Sequence, residues 1–230
     1  MISRKGIDVS SWNHEGDARI DFVAVKEAGY DFVMIKATQA LDYVNPFLAE
    51  DAVEAHAAGM LVGVYHFAVP GVGDAQLQAL HAIAAIAHLP LSLGIALDLE
   101  ESGNLQVYEL SPWAEEFLRE IRTAGHIASI YVDESYRTQL TGIPWGSHLW
   151  CASPTIPADV RPWLHQVGEG SVPGVPGLVD LDVMPSSRGV NPVHRPLAGT
   201  PVAVERPKPD EQDTQPPESV NAATGPTGGA

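Results

Sequence analysis

Leu93-Gly94-Ile95-Ala96-Leu97-Asp98-Leu99-Glu100 is the stretch on which the reading of this chain turns. Its alternation is strict: Ile95, Leu97 and Leu99 fall on one face of a strand, and Gly94, Ala96, Asp98 and Glu100 on the other. The aliphatic face needs cover, and the small residues beside the acids suit a crowded inner surface. Both faces are therefore covered, as in a parallel sheet wrapped by helices. Period two puts Asp98 and Glu100 on the same side, with Cα atoms roughly 6.5–7 Å apart. In a partly enclosed site two carboxyls that close do not both ionise, so one keeps its proton at neutral pH. A carboxylic acid beside a carboxylate suits cleavage of a glycosidic bond: one protonates the leaving oxygen, the other steadies the developing cation.

Outward from this strand the chain alternates strand and helix. Residues 6–10 read as a first strand, 18–28 as a helix closed by Gly29, and 31–37 as a second strand. Asn45-Pro46 offers an N-cap and a proline at the first helical position, and Gly59 ends that helix. Residues 61–67 form the third strand and 74–88 the third helix; Ser111-Pro112 opens a fourth, and 127–132 is the fifth strand. Beyond it, 147–152, 163–167 and 178–183 read as three more strands, joined by short Pro/Gly-rich connections. The pattern predicts an α/β fold: an irregular (β/α) barrel of eight strands with outer helices missing after the later strands. A regular barrel needs about 250 residues, so closing by residue 190 requires that economy.

Composition narrows the function classes. The chain has 230 residues, 45% of them hydrophobic, enough for one domain with a substantial core. A net charge of −16 opposes binding to nucleic acid or to an anionic membrane surface. No apolar run reaches the ~18 residues of a membrane span, and residues 1–8 lack the apolar core of a signal peptide. The expectation is a protein made in the cytoplasm without ordinary secretion. Cys151 is the one cysteine and the histidines are scattered, so neither an internal disulfide nor a metal site is expected, and no cofactor. Eight of the nineteen prolines fall at or after Pro192. The expected division is therefore a catalytic barrel over 1–190 and a Pro/Gly-rich disordered tail or linker over 191–230.

Several motifs, in order, carry a family likeness: Gly6-Ile7-Asp8-Val9-Ser10-Ser11-Trp12, Lys36-Ala37-Thr38, Gly63-Val64-Tyr65-His66-Phe67, Asp98-Leu99-Glu100, Trp150 with Ala152, and Val172-Pro173-Gly174 leading to Val179-Asp180. Over about residues 5–185 the chain resembles the glycoside hydrolase family 25 lysozymes, the Chalaropsis-type muramidases found in bacteria and as phage endolysins. The resemblance implies that Glu100 is the general acid/base, Asp98 its partner, and Asp8 and Asp180 the other site acids. Independently, Asp8 ends the first strand and Asp180 the last, and those strands are neighbours in a closed barrel, so both acids reach the C-terminal rim. The implied substrate is the peptidoglycan glycan strand, cut at the β-1,4 bond after N-acetylmuramic acid. The implied chemistry is attack by the substrate's own 2-acetamido group with retention, Asp98 polarising the amide; direct attack by Asp98 is the other route.

Tyr65, Tyr131 and Trp150 lie on strands where they either stack on sugar rings or serve as core aromatics, and Gln166 joins them as a candidate substrate contact. Gln39 and Ala40 stand where relatives commonly carry Glu-Gly, Asn45 where Asp is common, His165 where Trp is common, and Pro154 where an aromatic often follows; these departures are expected to touch the groove lining. His66 reads as a hydrogen-bonded structural histidine in preference to a catalytic base, His81 as solvated, and Asp182, on the same face as Asp180, as a local hydrogen-bonder in preference to an assistant of Asp180. Two function classes follow: a monomeric, endolysin-like muramidase acting on the wall after release from the cell, or a non-catalytic glycan-binding barrel in a virion or wall-associated assembly. The intact set of four acids favours the first.

Overall fold

A sheet closed on itself frames the computed structural model, which describes residues 3–142, 148–153, 155 and 161–185. The expected tail at 191–230 and Pro154 lie outside the described residues. The strands are β1 (Arg4–Val9), β2 (Tyr30–Gln39), β3 (Tyr43–Val44), β4 (Leu61–Phe67), β5 (Gly94–Asp98), β6 (Ala128–Asp133), β7 (Leu149–Ala152), β8 (Leu164–Gly170) and β9 (Val179–Met184). Omitting β3, a two-residue hairpin partner of β2, these make the eight-stranded ring that the sequence predicts. Helices α1 (Phe22–Glu27), α2 (Leu48–Ala57), α3 (Ala75–Ala85), α4 (Val107–Thr123) and α5 (Glu134–Gln139) cover its first part, with a 3-10 helix over Ser11–Asp17.

Closure falls to β1, which pairs in parallel with β2 and antiparallel with β9. β9 also runs antiparallel to β8. The connection over residues 171–178 is shorter than the dozen or more residues a parallel crossover takes, so the chain turns back as a hairpin. This corrects the expected position of Asp180, which lies near the start of β9 and not at its end. The two acids meet at the same rim because the strand is reversed, with Asp8 paired directly to Asp180.

Three helix starts also differ from expectation. α1 begins at Phe22 and not near residue 18, because Asp21 caps it, its Oδ1 accepting from Val23 N–H at 3.1 Å and Ala24 N–H at 3.0 Å. α4 begins at Val107, where Gln106 N–H donates to Glu109 Oε2 at 2.8 Å. Ser111, expected as the cap, is buried within the helix, and its Oγ accepts from Thr141 N–H at 2.7 Å. α2 begins at Leu48, after a turn in which Asn45 Oδ1 accepts from Phe47 N–H at 3.0 Å.

Strand alternation sorts the core into two layers. Ile95, Leu97 and Leu99 face outward into a cluster shared with α2, α3 and α4, including Ala52, Ala79, Phe117 and Ile121. Each of these aliphatic chains contributes roughly 1.5–3 kcal/mol by leaving water. The inward layer holds Phe32, Met34, Tyr65, Ala96, Tyr131, Trp150 and Leu164. Small residues make room for it: a Cβ on Gly6 would sit 2.2 Å from the Phe32 ring. The barrel interior is therefore filled below, and its polar residues collect at the mouth.

Candidate active site

The C-terminal ends of the parallel strands and the start of β9 surround one pocket at the barrel mouth. Asp8 and Asp180 enter it from β1 and β9, Lys36 from β2, Tyr65 from β4, and Asp98 and Glu100 from β5 and the residues just after it. Although β5 ends at Asp98, Leu99 N–H still donates to Tyr131 O at 3.0 Å, so the extended backbone continues and Glu100 keeps the inward side. Tyr131, Trp150 and Gln166 complete the opposite wall. All eight residues singled out from the sequence as catalytic or substrate-binding thus line one pocket.

Its electrostatics follow from burial. Asp98 is 5% exposed, and its pKa is held well above the ordinary carboxylate range by that burial first, then by the adjacent Glu100; Lys36 pulls the other way. Burial, then the charge of Asp182, raises Asp8 in the same manner. Asp180 is pushed up to about 9, by burial and then by Asp8, Glu169 and Glu100. Asp98 Oδ1 and Asp182 Oδ2 receive no amide, indole or hydroxyl donor among the described residues. The neighbours left to them are the carboxyls of Glu100 and Asp8, and two carboxyls hydrogen-bond only by sharing a proton.

On the far wall the orientations are fixed. Tyr131 O–H donates to Gln166 Oε1 at 2.9 Å, and Gln166 Nε2 donates to Asp8 Oδ2 at 3.0 Å. Tyr131 and Tyr65 meet Trp150 edge-on, with ring centroids 4.7 and 6.0 Å away. At 2% exposed, Trp150 is the floor of the pocket and offers a ligand an edge instead of an open stacking face. Lys36 was overlooked in the sequence as a site residue. It lies 5% exposed, 5.1 Å above the Phe67 ring, and donates to Gln39 Oε1 at 2.8 Å. A lysine that follows Phe32 and Met34 on the same inward face was the available signal.

The departures from the family pattern touch this pocket less than expected. His165 points away from Gln166, buried against Ser153 O at 2.9 Å, and Asn45 is a buried brace whose Nδ2 donates to Lys36 O at 2.8 Å. Among the described residues, Gln39 is the departure that reaches the site, through Lys36. His66 is structural, bonded to Thr38 Oγ1 at 2.8 Å and Gln78 Oε1 at 2.9 Å, and burial holds its pKa down to about 4. His81 is partly buried, with its Nε2 3.0 Å from Tyr43 O.

Stability should record this acid cluster. Carboxyls with raised pKa bind protons in the folded chain that the unfolded chain has released, so their stabilisation is complete below about pH 4. It is lost as pH rises towards the folded values, about 7 for Asp182 and about 9 for Asp180. His66 acts oppositely, lowering stability as pH falls from 6.5 towards 4. Above pH 6.5 the carboxyls act without that opposition, at roughly 1.4 kcal/mol per unit for each retained proton. The melting temperature is expected to fall by several degrees between pH 6.5 and 9, at about 2–4 °C per kcal/mol. A flat calorimetric profile there would show the cluster to be ordinary.

With this geometry in place, comparison with known proteins is informative. The model of the family "Glycosyl hydrolases family 25" matches residues 7–162. The chain is 30% identical over 184 residues to the autolytic lysozyme of Clostridium acetobutylicum, covering 77% of this chain and 55% of that protein. It is 28% identical over 198 residues to Lysozyme M1 of Streptomyces globisporus, covering 76% and 66%. The chain thus spans between about half and two thirds of the lengths of these relatives. Among solved structures, the bacterial lysozyme from Streptomyces coelicolor superposes with a TM-score of 0.67 at 28% identity, covering 80% of this chain and 93% of that one.

Proposed function

The chain belongs to glycosyl hydrolases family 25, and from that premise we propose that it is a muramidase, hydrolysing the β-1,4 bond between N-acetylmuramic acid and N-acetylglucosamine in peptidoglycan. The observation that carries this reading is the Asp98–Glu100 pair at the mouth of a filled barrel, with Asp8 and Asp180 lining the same pocket.

In this reading Glu100, half-buried and the more accessible of the pair, gives its proton to the leaving oxygen and then takes one from water. Asp98, deeper and beside Lys36, accepts from the N–H of the substrate's 2-acetamido group as its carbonyl oxygen closes on the anomeric carbon. A hydrogen-bonded pair leaves no space for a water between its carboxyls, which supports retention over inversion by these two groups. Asp8 and Asp180 border the developing positive charge, and Tyr65, Tyr131, Trp150 and Gln166 shape the wall that receives the sugar. We read residues 1–190 as the catalytic unit, acting as a monomer on the wall, and 191–230 as a tail or linker.

The test is digestion of purified peptidoglycan, borohydride reduction of the soluble products and mass spectrometry of their ends. Reduced muramic acid ends are expected. Reduced glucosamine ends would move the cleaved bond, and no products from any of several wall types would leave a glycan-binding barrel.

A further inference from the structure

Asp182 lies outside the set of acids assigned above, yet it is the most deeply buried of the barrel acids, 1% exposed. It faces inward from β9, opposite Gly6 on β1 and Gln166 on β8. The space left by the missing side chain of Gly6 is taken by the Phe32 ring, and Asp182 and Asp8 are diagonal neighbours across the β1–β9 pair. One oxygen of Asp182 is committed, since Trp150 Nε1–H donates to Oδ1 at 2.8 Å. The other has no hydrogen-bond donor among the described residues, and the neighbouring carboxyl is that of Asp8. Asp8 in turn has Oδ2 occupied by Gln166 Nε2, itself held by Tyr131. Directed hydrogen bonds therefore hold both flanks, Tyr131–Gln166–Asp8 on one side and Trp150–Asp182 on the other, and leave the two carboxyls facing each other between them.

We propose that Asp182 is a positioning residue of this site: it shares one proton with Asp8, so that Asp8 is uncharged in the working enzyme, and it anchors the indole that floors the pocket. The catalytic half of this statement rests on the muramidase reading; the shared proton does not. The charges around the pair agree. Asp180, with Glu169 beyond it, and Glu100 and Asp98 face it from their own strands and oppose a further negative charge, and Tyr131 adds none. Lys36, the cation at the mouth, acts on Asp98. Burial first, then the charges of Asp182 and Glu100, raise Asp8 well above the usual range; burial also raises Asp182, to about 7, against the Asp8 and Trp150 hydrogen bonds. Below about pH 7 the pair holds two protons; loss of the first leaves the one that is shared, and burial and repulsion oppose loss of the second, which would leave two buried anions in contact.

The Trp150 indole, bonded to Asp182, reports the step that leaves the pair with its single shared proton. In 15N–1H spectra its resonance, identified by its absence from Trp150→Phe, is expected to titrate between pH 6 and 9 in the wild type. It should stay flat in Asp182→Asn, whose amide keeps the Trp150 acceptor and donates permanently to Asp8. Asp8 is then anionic at neutral pH, so the activity optimum of Asp182→Asn should move to lower pH by a unit or more, with kcat affected and KM little changed. Asp182→Ala, which removes both bonds, should lose activity at every pH, separating an absent anchor from an altered charge. A wild-type indole that is flat from pH 5 to 9 overturns the shared proton. An indole that titrates while Asp182→Asn keeps the wild-type optimum overturns the positioning role. If the wild type releases no glycan ends, the muramidase reading fails and the catalytic half with it, while the indole still decides the proton.

Discussion

Glu100→Gln is expected to lower turnover on peptidoglycan by about 10²–10⁴-fold, the usual contribution of a positioned general acid, with KM little changed. The amide retains the shape and polarity of the side chain but has no proton to give the leaving oxygen. Its stability should move the other way. Glu100 is among the groups whose charge raises Asp98, Asp8 and Asp180, so removing that charge relieves a buried repulsion. An inactive variant that melts at the same temperature or higher would separate catalysis from folding and mark a site whose strain is tied to function. Wild-type turnover by Glu100→Gln would remove Glu100 from the mechanism altogether.

Asp98→Asn should cost about 10²–10³-fold in kcat, comparable to deleting one preorganised electrostatic contact at a reacting centre. An asparagine still fills the space beneath Glu100, but it brings no negative charge to the acetamido N–H or to the oxazolinium ion. The same variant probes the proton shared with Glu100. Without a partner carboxyl Glu100 ionises more readily, and the alkaline limb of its pH profile should begin at lower pH. The stereochemistry is a separate check on the pair: NMR of the anomer first released should show retention, and release of the inverted anomer would require a different pair of carboxyls.

Much of this site was legible in the sequence because strand alternation is a strong code. The period-two run from Gly94 to Glu100 assigned one face to helices and the other to the interior, and the packing of Ile95, Leu97 and Leu99 follows it. The roles of the flanking residues were harder to read. Ser111-Pro112 has the composition of a helix start, yet tertiary packing and the Gln106–Glu109 exchange begin α4 earlier. Asn45 and His165 were taken as groove residues because departures from a family pattern carry no direction; in a strand or a tight turn, one residue of shift decides between mouth and brace. Lys36 and Asp182 were hidden for a related reason. What makes each matter is a partner far along the chain, Asp98 for the one and Trp150 with Asp8 for the other. Local pattern does not encode such partners, and only the closure of β1 against both β2 and β9 brings them together.

The reversed last strand has one more effect. Because β9 runs down the barrel, its final residue, Met184, pairs with Arg4 at the foot of β1, on the side away from the pocket. The described part of the barrel therefore begins and ends at its base, where Arg4 and Met184 face each other, while the pocket opens at the opposite end. A unit wired in this way behaves like a plug, with both of its described ends on the blunt side and its working face left clear of them.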